Sequence, residues 1–489
     1  MPHGKELFLD HAATTPVHPD VVGLMLPYFG NHFGITTSLS ELGRTSRRAV
    51  EEARCRAAAL IDAAPEEIIF SSGATESNNL AILGAASSLS GRGKHIITST
   101  GEHPSVINAC RHLERRGFEI SYVSPDAQGK IDPALIADAL RNDTILISIM
   151  HASHETGVVQ PVEEIGALAR ERGVLFHCNA AQSAGKIPVN THTLPADLLS
   201  FSSHKLYGPK GVGALFVRKG TVIDPVLFGS GQEQGLRPGT INVPCVAGFG
   251  LACVIALRDI ENNGILITSL RESLEQQVIS RIDGARIHGS GTVRLPHISS
   301  ISFRGVRGDD LAAYLDAVNI VVSPGSAQSR AWHGQARRSA EVLPEKEGEE
   351  GTIRLSIGWE NKEKDIRRTV DRLEEAVRRI REFAAASPDG DVTVFTFPDK
   401  SNAAAALKAL KDEDMVFSPV LKPDELMQAL CSNISLACLS RDQARIGSLL
   451  GAHGIEIAGM HTAHPMERPM KKKERDFWEK VEQIKKRNA

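Results

Sequence analysis

The sequence predicts an α/β protein: a large domain on a mostly parallel seven-stranded sheet, a smaller α/β domain, and an extra small α/β unit at the C-terminal end. Three observations carry this. Seven short apolar runs alternate with helical stretches between about residues 67 and 217. The runs suit strands buried on both faces of a parallel sheet. A linker-like stretch, Ala384-Ala385-Ala386-Ser387-Pro388-Asp389-Gly390, is followed by a fresh strand pattern.

Taken in order, strands are expected at 67–71, 95–98, 119–123, 144–150, 174–178, 198–202 and 212–217. Helical patterns at 76–86, 104–116 and 162–172 lie between them, which makes βα units. Residues 265–383 read as a smaller α/β domain closing with a helix rich in Arg and Glu. After the linker come a strand at 392–397, a helix at 403–411 and short apolar runs up to Met460. The expected domains are 1–264, 265–386 and 387–463, with a basic helical tail at 464–489. Such a tail reads as a solvated terminal helix.

The 489 residues suffice for two or three domains, each with its own core. Hydrophobic content of 42% and charged content of 24% are ordinary globular values. A net charge of −3 gives no footprint for nucleic acid or an anionic membrane. No apolar run is expected to span a bilayer, and the N-terminal residues lack a signal-peptide stretch. Seven cysteines without CxxC pairs indicate neither a disulfide framework nor a zinc site. A cytoplasmic protein with reduced thiols, without nucleic-acid or membrane partners, is the expectation.

The most informative segment is Ser200-Phe201-Ser202-Ser203-His204-Lys205-Leu206-Tyr207-Gly208-Pro209. A buried strand ends in small hydroxyl residues, then a His-Lys pair, then a Gly-Pro turn. A lysine delivered there can hold an aldehyde cofactor as a Schiff base. The segment Ser71-Ser72-Gly73-Ala74-Thr75-Glu76 follows a strand and opens a helix, where free N–H groups can bind an anion. It can equally be a simple helix cap.

These motifs, with others at matching separations from about Leu9 to Arg381, resemble the cysteine desulfurases of the class V aminotransferase fold. The resemblance implies the fold type I of pyridoxal 5′-phosphate (PLP) enzymes, with PLP as cofactor and a small amino acid as substrate. Lys205 matches the cofactor lysine, and Ala74 and Thr75 match the phosphate loop. His103, in Gly101-Glu102-His103-Pro104, matches the histidine that stacks on the pyridine ring and moves protons. Gln182 matches the residue bonded to the cofactor's phenolic oxygen, and Ser202 and His204 match the phosphate pair. Thr240 matches a threonine that reaches the neighbouring subunit's phosphate, which implies a homodimer. Arg354 matches the arginine that clamps the substrate α-carboxylate in a bidentate pair.

Three positions depart from the family's pattern. Asn179 stands where the family has an aspartate against the pyridine nitrogen. That forfeits an ion pair worth about 1–3 pKa units, so the ring is a weaker electron sink or is held only by a neutral hydrogen bond. His154 stands for an asparagine facing the phenolic oxygen, and it either replaces the contact or crowds it. Gln328 stands for the nucleophilic cysteine in Ser323-Pro324-Gly325-Ser326-Ala327-Gln328. An amide cannot perform thiolate attack on sulfur.

The segment 392–460 resembles a small sulfur- or selenium-carrier domain, with Cys431 in a turn and Cys438 in an apolar run. Cys431 is then a candidate persulfide carrier, or both cysteines are small core residues. Two readings follow. One is a PLP enzyme acting on a sulfur- or selenium-containing amino acid, with a sulfur- or selenium-acceptor protein as partner. The other is a silent scaffold presenting the carrier domain.

Overall fold

The computed structural model describes residues 6–325, 350–386, 392–397, 405, 406, 409, 417–419, 434–439, 446, 447, 450, 455 and 459–463. The chain forms two compact units, residues 1–312 with 319–374, and residues 313–318 with 375–489.

In the first unit, β1 (Leu7–Phe8) is followed by helices α1 (Pro19–Met25), α2 (Pro27–Gly30) and α3 (Glu41–Leu60). Then come β2 (Ile68–Ser71), α4 (Ala74–Ser88), β3 (His95–Ser99), α5 (Pro104–Glu114), β4 (Glu119–Val123), α6 (Pro133–Ala139) and β5 (Thr144–Met150). The run closes with α7 (Val162–Glu171), β6 (Leu175–Asn179), β7 (Leu198–Ser202), β8 (Gly213–Val217) and α8 (Val243–Arg281).

Strands β2 to β8 form one seven-stranded sheet in the order β2-β8-β7-β6-β5-β3-β4. Neighbours from β4 to β7 pair in parallel, and β8 runs antiparallel to both β7 and β2. The expected mostly parallel sheet is therefore observed, strand for strand. Successive strand residues serve opposite faces. Ile68, Phe70, Leu199 and Phe201 join a core with residues of α3, α7 and α8. Ile69, Leu198 and Leu215 join the core on the other face, with residues of α4 and α5. His177 is paired inside the sheet, where it bridges Ser148 Oγ at 2.8 Å and Ser200 Oγ at 2.9 Å.

Helix α8 corrects one expectation. It is long and apolar enough, by length and composition, to cross a membrane. It is instead a core helix, with Val246, Phe249 and Cys253 buried in the core that α3 shares. Gly250 permits this close packing, because a Cβ there would lie 2.6 Å from Ala53 Cα. The helix runs through residue 264 without a break.

The first unit also holds a four-stranded antiparallel sheet of β9 (Ala285–Ile287), β10 (Ile298–Arg304), β12 (Ser323–Pro324) and β13 (Glu350–Ser356), in the order β12-β13-β10-β9. Strand β1 pairs in parallel with β11 (Ile320–Val321), and Asp10 bridges to Ser356. Helices α9 (Gly308–Ala317) and α10 (Glu363–Ala386) complete the described elements up to residue 386.

The second unit contains an antiparallel sheet of β14 (Val392–Phe397), β15 (Phe417–Pro419), β16 (Ile434–Leu439) and β17 (Gly459–Ala463), in the order β15-β16-β14-β17. The strand expected at 392–397 is observed. Gln328, Cys431 and the tail 464–489 lie outside the described residues.

Candidate active site

The parallel strands end together, and the expected site residues follow their C-terminal ends: Ala74 and Thr75 after β2, His103 after β3, His154 after β5, Gln182 after β6, and His204 and Lys205 after β7. Asn179 and Ser202 are the last residues of β6 and β7. Ligands of open α/β sheets bind at this edge.

Gly73 starts α4 with φ 153°, a value favouring glycine, and no side chain caps the helix. A Cβ on Gly73 would lie 3.9 Å from Ser202 Oγ, so the uncapped helix start sits beside that hydroxyl. Gly213 makes room for the turn, since a Cβ there would lie 2.7 Å from Gly73 Cα. Ser202 Oγ is buried and has no hydrogen-bond partner. An uncapped helix start facing an unpartnered buried hydroxyl is a cradle for an anion.

Lys205 ends a single 3₁₀ turn after β7. Its Nζ donates to Ala12 O, and to Ala13 O at 3.0 Å. Gln182 Nε2 donates to the same Ala12 carbonyl at 3.0 Å, which brings the two side chains together. His204 Nδ1 contacts Thr14 Oγ1 at 3.2 Å. Burial and the nearby Arg354 lower the Lys205 pKa to about 7, although Asp10 opposes this. A neutral amine is thus available near neutral pH.

His103 caps α5, its Nδ1 accepting from Ser105 N at 3.1 Å. Its ring centroid lies 5.4 Å from that of His154, edge to face. Burial, and then Lys205, lower the His103 pKa to about 4, so the ring is neutral near pH 7. Burial holds His154 well below the usual histidine range, and its Nδ1 is buried without a partner. Asn179 Oδ1 accepts from Ala181 N at 3.3 Å.

Arg354 lies on β13 with its side chain buried. Nη1 donates to His154 O at 2.8 Å, and Nη2 donates to Asp10 Oδ1 at 2.9 Å and Ser323 Oγ at 3.0 Å. Nε is buried and unpartnered. Thr240 does not join this group; it is exposed on the loop 229–240. That loop is anchored at the sheet edge, where Glu233 accepts from Phe70 N at 2.7 Å and pairs with Arg54 at 2.7 Å.

Sequence reasoning missed Asp10, Ser323 and Glu102. Asp10 lies well before the first expected strand, at 67–71. Glu102 precedes a helix, where an acid ordinarily serves the dipole in solvent.

The chain belongs to the class V aminotransferase family, in its cysteine desulfurase branch. The family model described as aminotransferase class-V matches residues 7–369. The chain is 42% identical over 377 residues to "Cysteine desulfurase IscS" of Dictyoglomus turgidum, covering 77% of this chain and 96% of that protein. It is 42% identical over 384 residues to "Cysteine desulfurase IscS" of Pseudomonas aeruginosa, covering 77% and 94%. Among solved structures, a "NIFS-LIKE PROTEIN" matches with TM-score 0.70 and 33% identity over 76% of this chain and 99% of that one.

The family's cofactor is PLP. The residues here fit it: the anion cradle at Ser202 and Gly73, the depressed lysine, and the unpartnered His154 Nδ1 supply groups for a phosphate, an aldehyde and a phenolic oxygen.

Proposed function

We propose that this chain is a PLP-dependent enzyme that cleaves the C–S or C–Se bond of a sulfur- or selenium-containing amino acid and transfers the released atom. The observation that carries the reading is Lys205, about half neutral near pH 7, sharing the Ala12 carbonyl with Gln182 and lying within electrostatic reach of Arg354.

Lys205 would hold the cofactor, with Ser202, His204, Ala74 and Thr75 at its phosphate and Gln182 and His154 at its phenolic oxygen. The cofactor, when bound, draws electrons from the substrate α-carbon. Arg354 would receive the α-carboxylate through its unpartnered Nε, with Asp10 yielding or sharing the guanidinium. Neutral His103 accepts a proton beside Lys205. Asn179 would offer the ring nitrogen a hydrogen bond without a full charge.

Sulfur needs an acceptor, and Gln328 cannot be one. Of the first unit's five cysteines, Cys110, Cys178 and Cys253 are buried with thiols pushed up by burial, so they are poor nucleophiles, whereas Cys55 on α3 is exposed and Cys245 on α8 is half-buried. We infer that the C-terminal segment acts as a carrier domain and brings Cys431 to the site, its linker near Pro388 setting the reach. Direct departure of selenium or sulfinate is the competing route. A homodimer is part of the proposal, supported by Phe33, Leu39 and Phe228, which are exposed apolar side chains.

Cysteine, selenocysteine and cysteine sulfinate would be assayed with wild type, Cys431→Ser and Cys438→Ser, followed by mass spectrometry for persulfide. Loss of turnover and persulfide in Cys431→Ser alone supports the carrier. Unchanged turnover of selenocysteine or sulfinate in both variants supports direct departure. No turnover of any substrate by a cofactor-loaded wild type favours the scaffold reading, to which Asn179, His154 and Gln328 together point.

A further inference from the structure

The lysine proposed to bond PLP is gripped at both ends by one short segment, residues 12–15. Its amine rests on the carbonyls of Ala12 and Ala13, the latter at 3.0 Å. Thr15 holds its backbone. Thr15 N donates to His204 O at 3.0 Å, and Thr15 Oγ1 donates to the same carbonyl at 2.8 Å. Tyr207 N in turn donates to Thr15 Oγ1 at 2.8 Å. His204 O belongs to the peptide unit that enters Lys205, and Tyr207 N to the unit that leaves Leu206. One hydroxyl on a buried side chain, 1% exposed, therefore clasps the backbone on either side of Lys205 and Leu206.

A hydroxyl has one proton to give. His204 O takes it, which leaves the oxygen free to accept from Tyr207 N, so both roles are filled. The branched Cβ of Thr15 limits its rotamers, and Pro16 disfavours helical backbone at Thr15, so the group is stiffly aimed. What it holds is a strained turn. Tyr207 stands at φ 61°, a left-handed value that is costly for a bulky side chain. Leu206 N and Gly208 N both donate to Ser203 O, at 2.8 and 3.1 Å, so the chain doubles back directly after the lysine. Thr14 has a separate task, since its Oγ1 meets His204 Nδ1 at 3.2 Å.

We propose that Thr15 is a positioning residue that fixes the Lys205 backbone, and with it the reach of the amine toward the cofactor aldehyde. The inference rests on PLP binding at Lys205. Without the hydroxyl, His204 O keeps the Thr15 N–H and His204 Nδ1 keeps Thr14, whereas Tyr207 N loses its acceptor. The loss falls on the lysine's side of the site rather than on the phosphate's.

The test is equilibrium binding of PLP and of pyridoxine 5′-phosphate to wild type, Thr15→Val and Thr15→Ser. Pyridoxine 5′-phosphate carries an alcohol in place of the aldehyde and cannot bond to an amine. Thr15→Val should weaken PLP binding roughly tenfold, the scale of one strained backbone residue. The same change should weaken pyridoxine 5′-phosphate less than about twofold, because that probe does not couple to the lysine. Thr15→Ser keeps the hydroxyl and should bind PLP within about threefold of wild type. Equal losses for both probes in Thr15→Val would mark a merely structural role and overturn the inference, as would no loss of PLP binding. Thr15→Ala removes the hydroxyl without setting a methyl against the Tyr207 N–H, and is carried alongside with the same expected split between probes. Melting of each apo-protein verifies its fold. A wild-type protein that takes up neither probe overturns the reading of the site itself, and this inference with it.

Discussion

Arg354 Nη2 lies 2.9 Å from Asp10 Oδ1, and Ser323 Oγ lies within hydrogen-bond distance of both side chains, 2.9 Å from Asp10 Oδ2 and 3.0 Å from Nη2. The guanidinium proposed to clamp a substrate carboxylate thus already holds a carboxylate of its own chain. Removing one partner from a buried pair leaves an uncompensated charge, at about 3–5 kcal/mol. Asp10→Asn should therefore lower the melting temperature of the ligand-free protein. A small amino acid should then raise it more in the variant than in wild type, because its carboxylate replaces the lost partner. Thermal shift with and without the amino acid measures both effects.

The lowered Lys205 pKa predicts how the apo-protein takes up PLP. With a pKa of about 7, the neutral fraction of the amine rises about tenfold between pH 6 and pH 8. The uptake rate should follow it and then level off. A rate still climbing steeply at pH 9 would mean an ordinary lysine.

Acid should destabilise the protein through its buried histidines. Burial lowers His11 and His177 to about 3, and His103, His151 and His204 to about 4. Each takes up a proton more readily when unfolded, where its pKa is about 6.5. Their contribution is complete above pH 6.5 and is lost as the pH falls toward 4. The urea midpoint should therefore drop markedly between pH 6.5 and pH 5, before most carboxylates titrate.

Much of the large sheet was legible because its strands are short apolar runs between helical periods. The expected strand at 144–150 is β5, and the helix at 162–172 is α7 to within one residue. The site's lysine was legible because small polar residues at a strand end have few other uses. Asp10 was not, since 344 residues separate it from Arg354 and they meet through the pairing of β1 with β11 and the bridge from Asp10 to Ser356. Glu102 was not, because its burial depends on the end of β5, which local sequence does not encode. The apolar length of α8 was underread, since its apolar residues Val246, Phe249 and Cys253 are spent in the core it shares with α3.

Glu233 and Gln234 stand at φ 48° and 59°, in the left-handed region, while Glu233 is buried against Arg54 and Phe70 N. Glu233→Ala would leave the buried Phe70 N–H without its acceptor, while Arg54 keeps Glu51 and the Ile68 carbonyl, at about 1–3 kcal/mol. Chemical denaturation should show that loss. Gln234→Gly relieves backbone strain and should be neutral or stabilising.

Gln328→Cys should give the protein sulfide release from L-cysteine above the wild-type level, since only the thiol supplies a nucleophile. Sulfide and alanine, assayed together, separate desulfuration from side reactions. If Gln328→Cys is silent but becomes active with Asn179→Asp, the weakened ring partner limits the reaction.

The central claim, that Lys205 is the residue bonded to PLP, is tested most directly by borohydride reduction of the cofactor-loaded protein followed by peptide mass spectrometry. The account predicts a reduced pyridoxyl group on the Lys205 peptide, one per chain, absent from Lys205→Ala. Lys186 is the informative competitor, because burial lowers its pKa to about 8 and it lies within electrostatic reach of Lys205. A pyridoxyl group on Lys186 in wild type, or on no lysine after PLP addition, would contradict the account.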